Sequence, residues 1–512
     1  MNFSITTLGC KVNQYDSAAI AASLRQAGGR LLSTPGESLS LADLVIINTC
    51  CVTATAMRKS RQAIRRGVRA ARGAFVLVTG CYADYDPSAI ASTLRRLGVG
   101  DDRAIIAGHH ADLSGCLRQL AARWGSSGRP AGDAAALGQD VGAGGCGWDG
   151  TVSAGHSTAP ATAASIKASR AAAVKRKAPG TRGLAPISQF PGHQRAFVKV
   201  QDGCDAFCSY CVVPFTRPIP WWRGIEDVEA ECRGLLAAGH KEIVLCGVFL
   251  GAFGRETTRR DRWAGQPSLL PQLIRRVAAM EGLWRLRLSS LDCLDVTEEL
   301  LSACAESPKV APHFHLPLQS GSDRTLRAMN RQYTLDEFLS CLGRIRSRFD
   351  RPAITTDIIA GFPGESDEDF AATLAAAREA RFARIHAFPF SPIPGTAAWL
   401  RRRDCPPSGV VKARMAELTA LGRRLAGEYR RQFIGDRMEV LIETPPTGAK
   451  GFCTGMSDRY LPVRFPASGL RPGMLATVRI DRGGPNGLLG RLGGCARGVG
   501  SPAAAGFSGR HG

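Results

Sequence analysis

Gly203-Cys-Asp-Ala-Phe-Cys-Ser-Tyr-Cys211 sets three thiols, Cys204, Cys208 and Cys211, in one tight loop. The loop directly follows a short apolar strand candidate, Ala196-Phe-Val-Lys-Val200. Thiolates spaced C-x-x-x-C-x-x-C can each take one iron of a cubane cluster, and such a cluster normally takes four cysteines. With three, one iron keeps an open position, and an open position is where a metal centre does chemistry. Zinc is the main rival, but structural zinc prefers four ligands, usually from two Cys-x-x-Cys pairs, and no second close pair stands nearby. Three core cysteines that happen to be close is the bland alternative, and a loop suits it poorly.

Working outward, apolar strand candidates recur after this loop at Glu242–Cys246, Leu286–Ser289, His313–Leu316, Ile354–Ile359 and Ala383–Phe388. Helical segments separate them, at Asp227–Ala238, Leu269–Ala279, Thr297–Cys304, Ser322–Met329, Leu335–Arg346 and Asp367–Ala380. With the strand before the cysteine loop this makes six strand-helix units, so the economical fold for residues 190–430 is an open (β/α)6 barrel. Functional loops then leave the carboxyl ends of the strands, as in full barrels. Gly247, Ser289 with Ser290, Gln319-Ser-Gly-Ser322 and Gly361-Phe-Pro-Gly-Glu365 follow successive strands. Each alone is an ordinary turn; their order is what carries weight, and Ser322 is a candidate helix N-cap. His313 and His315 share a strand face without a third ligand and are read as core.

Upstream, residues 1–122 carry three apolar runs that each end in a cysteine: Phe3 to Cys10, Leu44 to Cys50 and Phe75 to Cys81. Helix-like segments at Ser17–Ala27, Ala54–Ala71 and Pro87–Leu97 alternate with them, which predicts a doubly wound parallel sheet. Ligands gather at the carboxyl edge of such sheets. Cysteines are often simply buried, but three at one edge are better explained by a shared second metal cluster. Cys51 is the bystander, because adjacent strand residues point to opposite faces.

The chain has 512 residues, enough for several cores, with Lys and Arg at 66 against Asp and Glu at 44, a formal charge of +22. That balance favours polyanionic partners, above all nucleic acid. Seventeen cysteines without a regular disulfide framework, no signal-like start and no membrane-length apolar run place it in a reducing cytoplasm. Residues 123–189 are Gly-, Ala-, Ser- and Pro-rich and read as a low-complexity linker ending in Lys175-Arg-Lys177; Cys146 within it receives no role. After a basic helix at Arg414–Phe433, residues 431–492 hold short strand candidates suggesting a β-barrel of about five strands. Residues 493–512 read as a disordered tail, with fraying after Gly490.

The C-x-x-x-C-x-x-C loop resembles the signature of radical S-adenosylmethionine enzymes. Thr7-Leu-Gly-Cys-Lys-Val-Asn-Gln-Tyr-Asp-Ser17, Asn48-Thr-Cys50 and Gly80-Cys-Tyr82 resemble the N-terminal domain of the methylthiotransferases within that group. Lys11-Val-Asn-Gln14 and Arg58-Lys-Ser-Arg-Gln62 resemble the branch acting on threonylcarbamoyl-adenosine at position 37 of tRNA. The C-terminal strands resemble a TRAM domain, an RNA-binding module, with Ser457-Asp-Arg-Tyr460 in place of Thr-Asp-Asn-Tyr.

The resemblance implies two [4Fe-4S] clusters, a catalytic one on Cys204, Cys208 and Cys211 and an auxiliary one on Cys10, Cys50 and Cys81. It also implies S-adenosylmethionine near Gly247, Ser289, Ser290, Gln319, Gly361 and Pro363, and a tRNA anticodon loop as substrate. An electron donor of flavodoxin or ferredoxin type and a sulfur source would complete the reaction, in which methylthio transfer to adenine C2 uses two equivalents of S-adenosylmethionine. The sequence departs from the family at Asp84, His109 and Asp112, and at Pro218 and Trp222, which stand where the family has glycine and serine. Trp221 and Trp222 either stack a base or pack against the linker. The alternatives are isopentenyladenosine in tRNA or a ribosomal-protein aspartate as target and, more distantly, a non-catalytic zinc RNA-binding protein.

Overall fold

The structure, a computed structural model, describes residues 1–32, 39–109, 111–127, 184–190, 193–263, 265–447, 451–466, 469–484 and 486–493. The N-terminal sheet contains β1 (Asn2–Thr7), β2 (Arg30–Leu31), β3 (Leu44–Thr49), β4 (Phe75–Gly80) and β5 (Ala104–Ala107), all parallel, in the order β2-β1-β3-β4-β5. Its strands are near-continuous apolar runs because both faces are covered. Leu44, Ile46, Phe75 and Leu77 meet Ile20 and Leu24 of α1 (Lys11–Gln26) on one face. Val45, Ile47, Val76 and Val78 meet Ile64 and Val68 of α2 (Ala54–Ala70) on the other. Strand order reverses between β1 and β3, the position where such sheets open a crevice at their carboxyl ends. One expectation needs correcting: α1 begins at Lys11, not Ser17. Cys10 is its extended N-cap residue, and Val12, Tyr15, Ala19 and Ile20 supply the buried helical stripe.

The central domain is the expected open barrel. Strand β6 (Arg195–Lys199) leads into β7 (Gln201–Asp202), which pairs antiparallel with β8 (Trp221–Trp222). The remaining barrel strands are β9 (Glu242–Cys246), β10 (Arg285–Leu288), β11 (His313–His315), β12 (Ala353–Ala360) and β13 (Arg384–Pro389). They form two parallel three-stranded sheets, β10-β9-β6 and β11-β12-β13, joined by a bridge between Leu286 and Val310. Four of this domain's helices start at side-chain caps, including Thr297, whose hydroxyl accepts from the Leu300 amide. Ser322 accepts from the Thr325 amide, as expected, and Thr334 and Ser366 form capping boxes.

Residues 128–183, with Cys146 and Lys175-Arg-Lys177, lie outside the described residues. The helix before them runs Leu113–Ser127. The end of the expected linker belongs to the central core: Ile187 and Phe190 are buried there, and the Ile187 amide donates to Glu231 Oε1 at 2.9 Å. Leu184, Pro186 and Ile187 also line a cavity of about 670 Å³ with Trp221 and Trp222, so both tryptophans face this returning segment.

A long helix, Ser408–Arg431, joins the barrel to β14 (Arg437–Thr447), β15 (Phe452–Ser457), β16 (Pro462–Pro466), β17 (Leu475–Gly484) and β18 (Gly487–Leu492). These close into a barrel in the order β14-β15-β16-β18-β17. Gly490, expected to mark fraying, is paired with Ile480 inside β18; residues from 494 onward lie outside the described set. The small barrel docks on the amino ends of the central strands. Arg285 donates to the Met456 and Glu439 carbonyls, Arg287 donates to those of Ser457 and Asp458, and both arginines pair with buried Glu242. Tyr460 stacks on His313 at 4.9 Å, so Ser457-Asp-Arg-Tyr460 plugs the floor of the open barrel.

Candidate functional site

The cysteine loop is held at three points. Gly203 has φ +80°, and a Cβ there would overlap the Ile219 carbonyl, so only glycine turns the chain into the loop. The Cys204 amide donates to the Arg217 carbonyl at 3.0 Å, and Asn330 Nδ2 donates to the carbonyl of Phe207, itself left-handed at φ 53°. Every thiol has a donor. The Ala206 amide donates to Cys204 Sγ at 3.5 Å, the Val213 amide to Cys211 Sγ at 3.4 Å, and Arg331 Nη1 to Cys208 Sγ at 3.2 Å. Burial and the Cys208 thiol push Cys204 up to about 12. Burial and the other two thiols push Cys211 up as well. Crowded sulfurs ringed by N–H donors are a donor set suited to binding metal as thiolates.

Across the domain interface lie the other three cysteines. Cys10 is exposed, while Cys50 and Cys81 are buried. A Cβ on Gly9 (φ +104°) would stand 3.2 Å from Cys50 Sγ. Burial pushes Cys81 up to about 12, and the nearby Cys50 and Cys10 thiols add to the shift. Polar side chains pin these strand ends. Asn13 Nδ2 donates to the Leu8 and Thr49 carbonyls, Asn48 Nδ2 donates to the Asn13 carbonyl, and Ser60 of α2 bonds both the amide and the carbonyl of Cys50. His109 Nε2 lies 3.7 Å from Cys81 Sγ. Burial, with the Arg217 cation, holds that imidazole down at about 3. Cys51 faces the α2 side with Cys81, Tyr82 and Val212, and burial together with the Cys81 thiol raises it strongly.

The two sets are joined by buried charge. Arg217 donates through Nη1 to Asp202, and through Nη2 to Asp16 Oδ2 at 2.8 Å and Asn13 Oδ1 at 3.0 Å. Lys199 Nζ donates to Asp16 at 2.5 Å and to Asp202 at 2.9 Å. Burial alone would raise both carboxyls, but the two cations overcome it and hold them below the usual range. Arg217 therefore holds Cys204 through its carbonyl while its cation acts on Cys81 and Cys10.

The remaining predicted positions fall unevenly. The Gly247 amide donates to Ser289 Oγ at 3.4 Å, and a Cβ there would press on Gln201 Oε1 at 2.9 Å. Ser289 is buried and Ser290 exposed. Gln319 sits in the left-handed region at φ 64°, and its buried Oε1 has no partner among the described residues. The Gly361 amide donates to Glu365 Oε2, and Val411 of the long helix fills the space of its missing Cβ at 2.6 Å. Pro363 is buried beside it. Among the described residues no three His, Cys, Asp or Glu side chains converge on a single-ion site.

Residues 2–99 match an uncharacterised protein family, UPF0004, and residues 198–377 match the radical SAM superfamily. The chain is 32% identical over 96% of its length, and 98% of the relative's, to the threonylcarbamoyladenosine tRNA methylthiotransferase MtaB of Chlamydia pneumoniae. The chain belongs to the radical S-adenosylmethionine methylthiotransferase family. A second relative, tRNA-2-methylthio-N(6)-dimethylallyladenosine synthase of Anaeromyxobacter dehalogenans (strain 2CP-C), is 33% identical over 95% of this chain and 93% of its own. Among solved structures, the radical S-adenosylmethionine methyltransferase TsrM from Kitasatospora setae shares the fold, with a TM-score of 0.51 and 16% identity over 78% of this chain and 73% of that one.

Several residues of this methylthiotransferase site escaped the sequence reading. Lys199 carried a signal, a lysine inside an apolar strand, and buried lysines are almost always paired. Arg331 and Asp292, paired at 2.6 Å beside Cys208, carried none, because they lie on loops far from the motif. Among the described residues no helix is long and apolar enough to cross a membrane.

Proposed function

We propose that the chain transfers a methylthio group to C2 of N6-threonylcarbamoyladenosine at position 37 of a tRNA anticodon loop. What supports this reading is the placement of Cys10, Cys50 and Cys81 at the carboxyl ends of the N-terminal strands and of Cys204, Cys208 and Cys211 in the loop after the first barrel strand, with Arg217 bonded to the Cys204 amide and acting on Cys81 and Cys10. In this reading Cys204, Cys208 and Cys211 would hold a [4Fe-4S] cluster. When bound with S-adenosylmethionine it supplies a 5′-deoxyadenosyl radical able to abstract an unactivated C–H hydrogen, which no protein acid or base removes.

The chain's own residues do the rest. N–H donors from Ala206, Val213 and Arg331 offset thiolate charge. The unpartnered Gln319 oxygen, held at a strained φ, is a ready acceptor for S-adenosylmethionine, with Gly247, Ser289 and Ser290 on neighbouring strand ends. Cys10, Cys50 and Cys81 would hold a second, auxiliary cluster that carries the sulfur, with Ser60, Asn13 and Asn48 fixing their backbones. An extruded loop base suits the gap between the triads, because unstacking costs least in single strands. The C-terminal barrel is read as a TRAM-like RNA module, with Arg464, Arg479 and Arg482 exposed on it. The reductant is of flavodoxin or ferredoxin type, a separate sulfur source restores the auxiliary site, and the reaction runs in the cytoplasm.

Relatives of both tRNA branches match at similar identity; Lys11-Val-Asn-Gln14 and Arg58–Gln62 favour the threonylcarbamoyl branch. The test is nucleoside analysis of tRNA from a deletion strain. Expected is loss of the methylthio derivative with threonylcarbamoyladenosine left behind, restored by the gene. Loss of methylthio-isopentenyladenosine instead, or an unchanged tRNA with an unmodified ribosomal-protein aspartate, overturns it. Zinc without iron or sulfide in the anaerobically purified protein would do the same.

A further inference from the structure

Between Asp43 and Asp84 the sequence has no acidic residue, yet it holds seven basic ones, Arg58, Lys59, Arg61, Arg65, Arg66, Arg69 and Arg72. Six of the seven lie on α2, and Arg72 follows its end. Ser60, Ala63, Ile64 and Val68 turn inward, and Arg58, Lys59, Arg65, Arg66, Arg69 and Arg72 are exposed. Residues 58, 62, 65 and 69 advance by steps of four, three and four, so they form one row along the helix, and Arg72 stands just past its end. Lys59 and Arg66 form a second row beside it. From residue 58 to 69 the row spans roughly 16 Å at ~1.5 Å per residue.

Elsewhere on this surface arginines find carboxylates: Arg275 with Glu306, Arg276 with Glu229, Arg348 with Glu298, Arg401 with Asp404. Neither the five exposed cations of α2 nor Arg72 pairs with a carboxylate among the described residues. Concentrating that many uncompensated charges on one helix costs self-repulsion, which a polyanion relieves.

Position adds direction. The first turn of α2 sits at the rim of the site: Ser60 grips Cys50, and the Ala54 amide donates to Ser391 Oγ at 2.9 Å, just past the last barrel strand. The basic row therefore starts beside the cysteines and leads away from them.

We infer that the exposed face of α2 is a docking surface for the RNA double-stranded stem that carries the target loop, binding its phosphates without reading sequence. This rests on the tRNA reading above. A base inserted at the cysteines is continuous with its stem, and a row of roughly 16 Å is long enough to lie along several successive phosphates of one strand. An acidic protein would be the other polyanion, but protein interfaces centre on aromatic and aliphatic anchors. The outward rows of α2 present only Arg, Lys and Gln.

The experiment uses the full-length, cluster-loaded protein with Arg65, Arg66 and Arg69 all changed to alanine, the best helix former, so that α2 persists. Affinity for unmodified tRNA is measured from about 50 to 200 mM salt. At ~0.9 counterion per phosphate, losing three contacts shrinks the affinity drop over that range by roughly 40-fold. An Arg275→Ala/Arg348→Ala control keeps the original slope. A hairpin with its stem cut short, bound to the unaltered protein, loses the same increment and no longer distinguishes the variant. Equal slopes for variant and parent, a control that falls as far as the variant, or normal tRNA binding with slowed reduction by an acidic flavodoxin each overturn the assignment. If the unaltered protein neither binds nor modifies tRNA, the function reading fails with it. If it does both while the triple variant matches it, only this surface fails.

Discussion

At the scale of single residues, Arg217 has the most to answer for. Its guanidinium neutralises Asp16 and Asp202, one from each domain, and its carbonyl holds the Cys204 amide. Arg217→Gln leaves two buried carboxylates sharing Lys199 alone. We expect a loss of about 3–5 kcal/mol, read by denaturant titration. The pH dependence has a definite sign. Both carboxyls are held below their unfolded value of about 3.9, so their contribution is complete above that pH and is lost as pH falls through the lower folded values. Stability of the parent protein should hold down to about pH 5 and fall below pH 4, whereas Arg217→Gln should begin to fall at a higher pH. Gly80 offers a second test. It sits at φ +90°, with Asn48 and the Thr49 backbone where a Cβ would go. Gly80→Ala should displace Cys81 and lower auxiliary iron while Cys204, Cys208 and Cys211 keep theirs; unchanged iron content would show that the strand end tolerates the shift.

At the scale of elements, three of the chain's Gly-Cys pairs, Gly9-Cys10, Gly80-Cys81 and Gly203-Cys204, repeat one device: a left-handed glycine that turns the chain so that the next residue leaves the strand end. The device makes separate predictions for the two triads. Replacing Cys204, Cys208 or Cys211 by alanine should abolish cleavage of S-adenosylmethionine with auxiliary iron retained. Replacing Cys10, Cys50 or Cys81 should stop methylthio transfer while 5′-deoxyadenosine still forms. Cys51→Ala should change little; full product from Cys50→Ala would point to Cys51 as the actual ligand. Much at this scale was legible in the sequence, because doubly covered parallel strands read as apolar runs and their cysteines mark the ends. The start of α1 was not. Lys11-Val-Asn-Gln14 has little apolar periodicity, since Asn13 and Asp16 are buried for their hydrogen bonds and charge, and period alone cannot see that. Gly361 carries a structural demand that the sequence could not show: its missing Cβ makes room for Val411 of the long helix.

At the scale of the whole molecule, the excess of positive charge divides between surfaces on different domains. If the C-terminal barrel also meets RNA, changing Arg464, Arg479 and Arg482 to alanine should weaken tRNA binding and flatten its salt dependence with cluster content intact. An unaltered affinity across salt concentrations would remove that barrel from RNA binding. Deleting it whole is a poorer test, because Arg285, Arg287 and Glu242 would lose their partners. We expect a chain ending at residue 436 to unfold at lower denaturant than the full chain, by about 3 kcal/mol or more. None of this docking was legible beforehand. Short apolar strands announce a barrel, but which end of another domain it covers depends on side chains up to 171 positions apart.

The plug at Ser457–Tyr460 also orders events during synthesis. Chains fold from the amino end as they emerge, domain by domain. The six barrel strands are complete at Pro389, yet their floor stays wet, with Glu242, Arg285 and Arg287 unsealed, until the final hairpins leave the ribosome. A transcript cut short, or a ribosome stalled late, is therefore expected to release a molecule whose Arg285 and Arg287 lack the Glu439, Met456, Ser457 and Asp458 carbonyls they bond in the full chain.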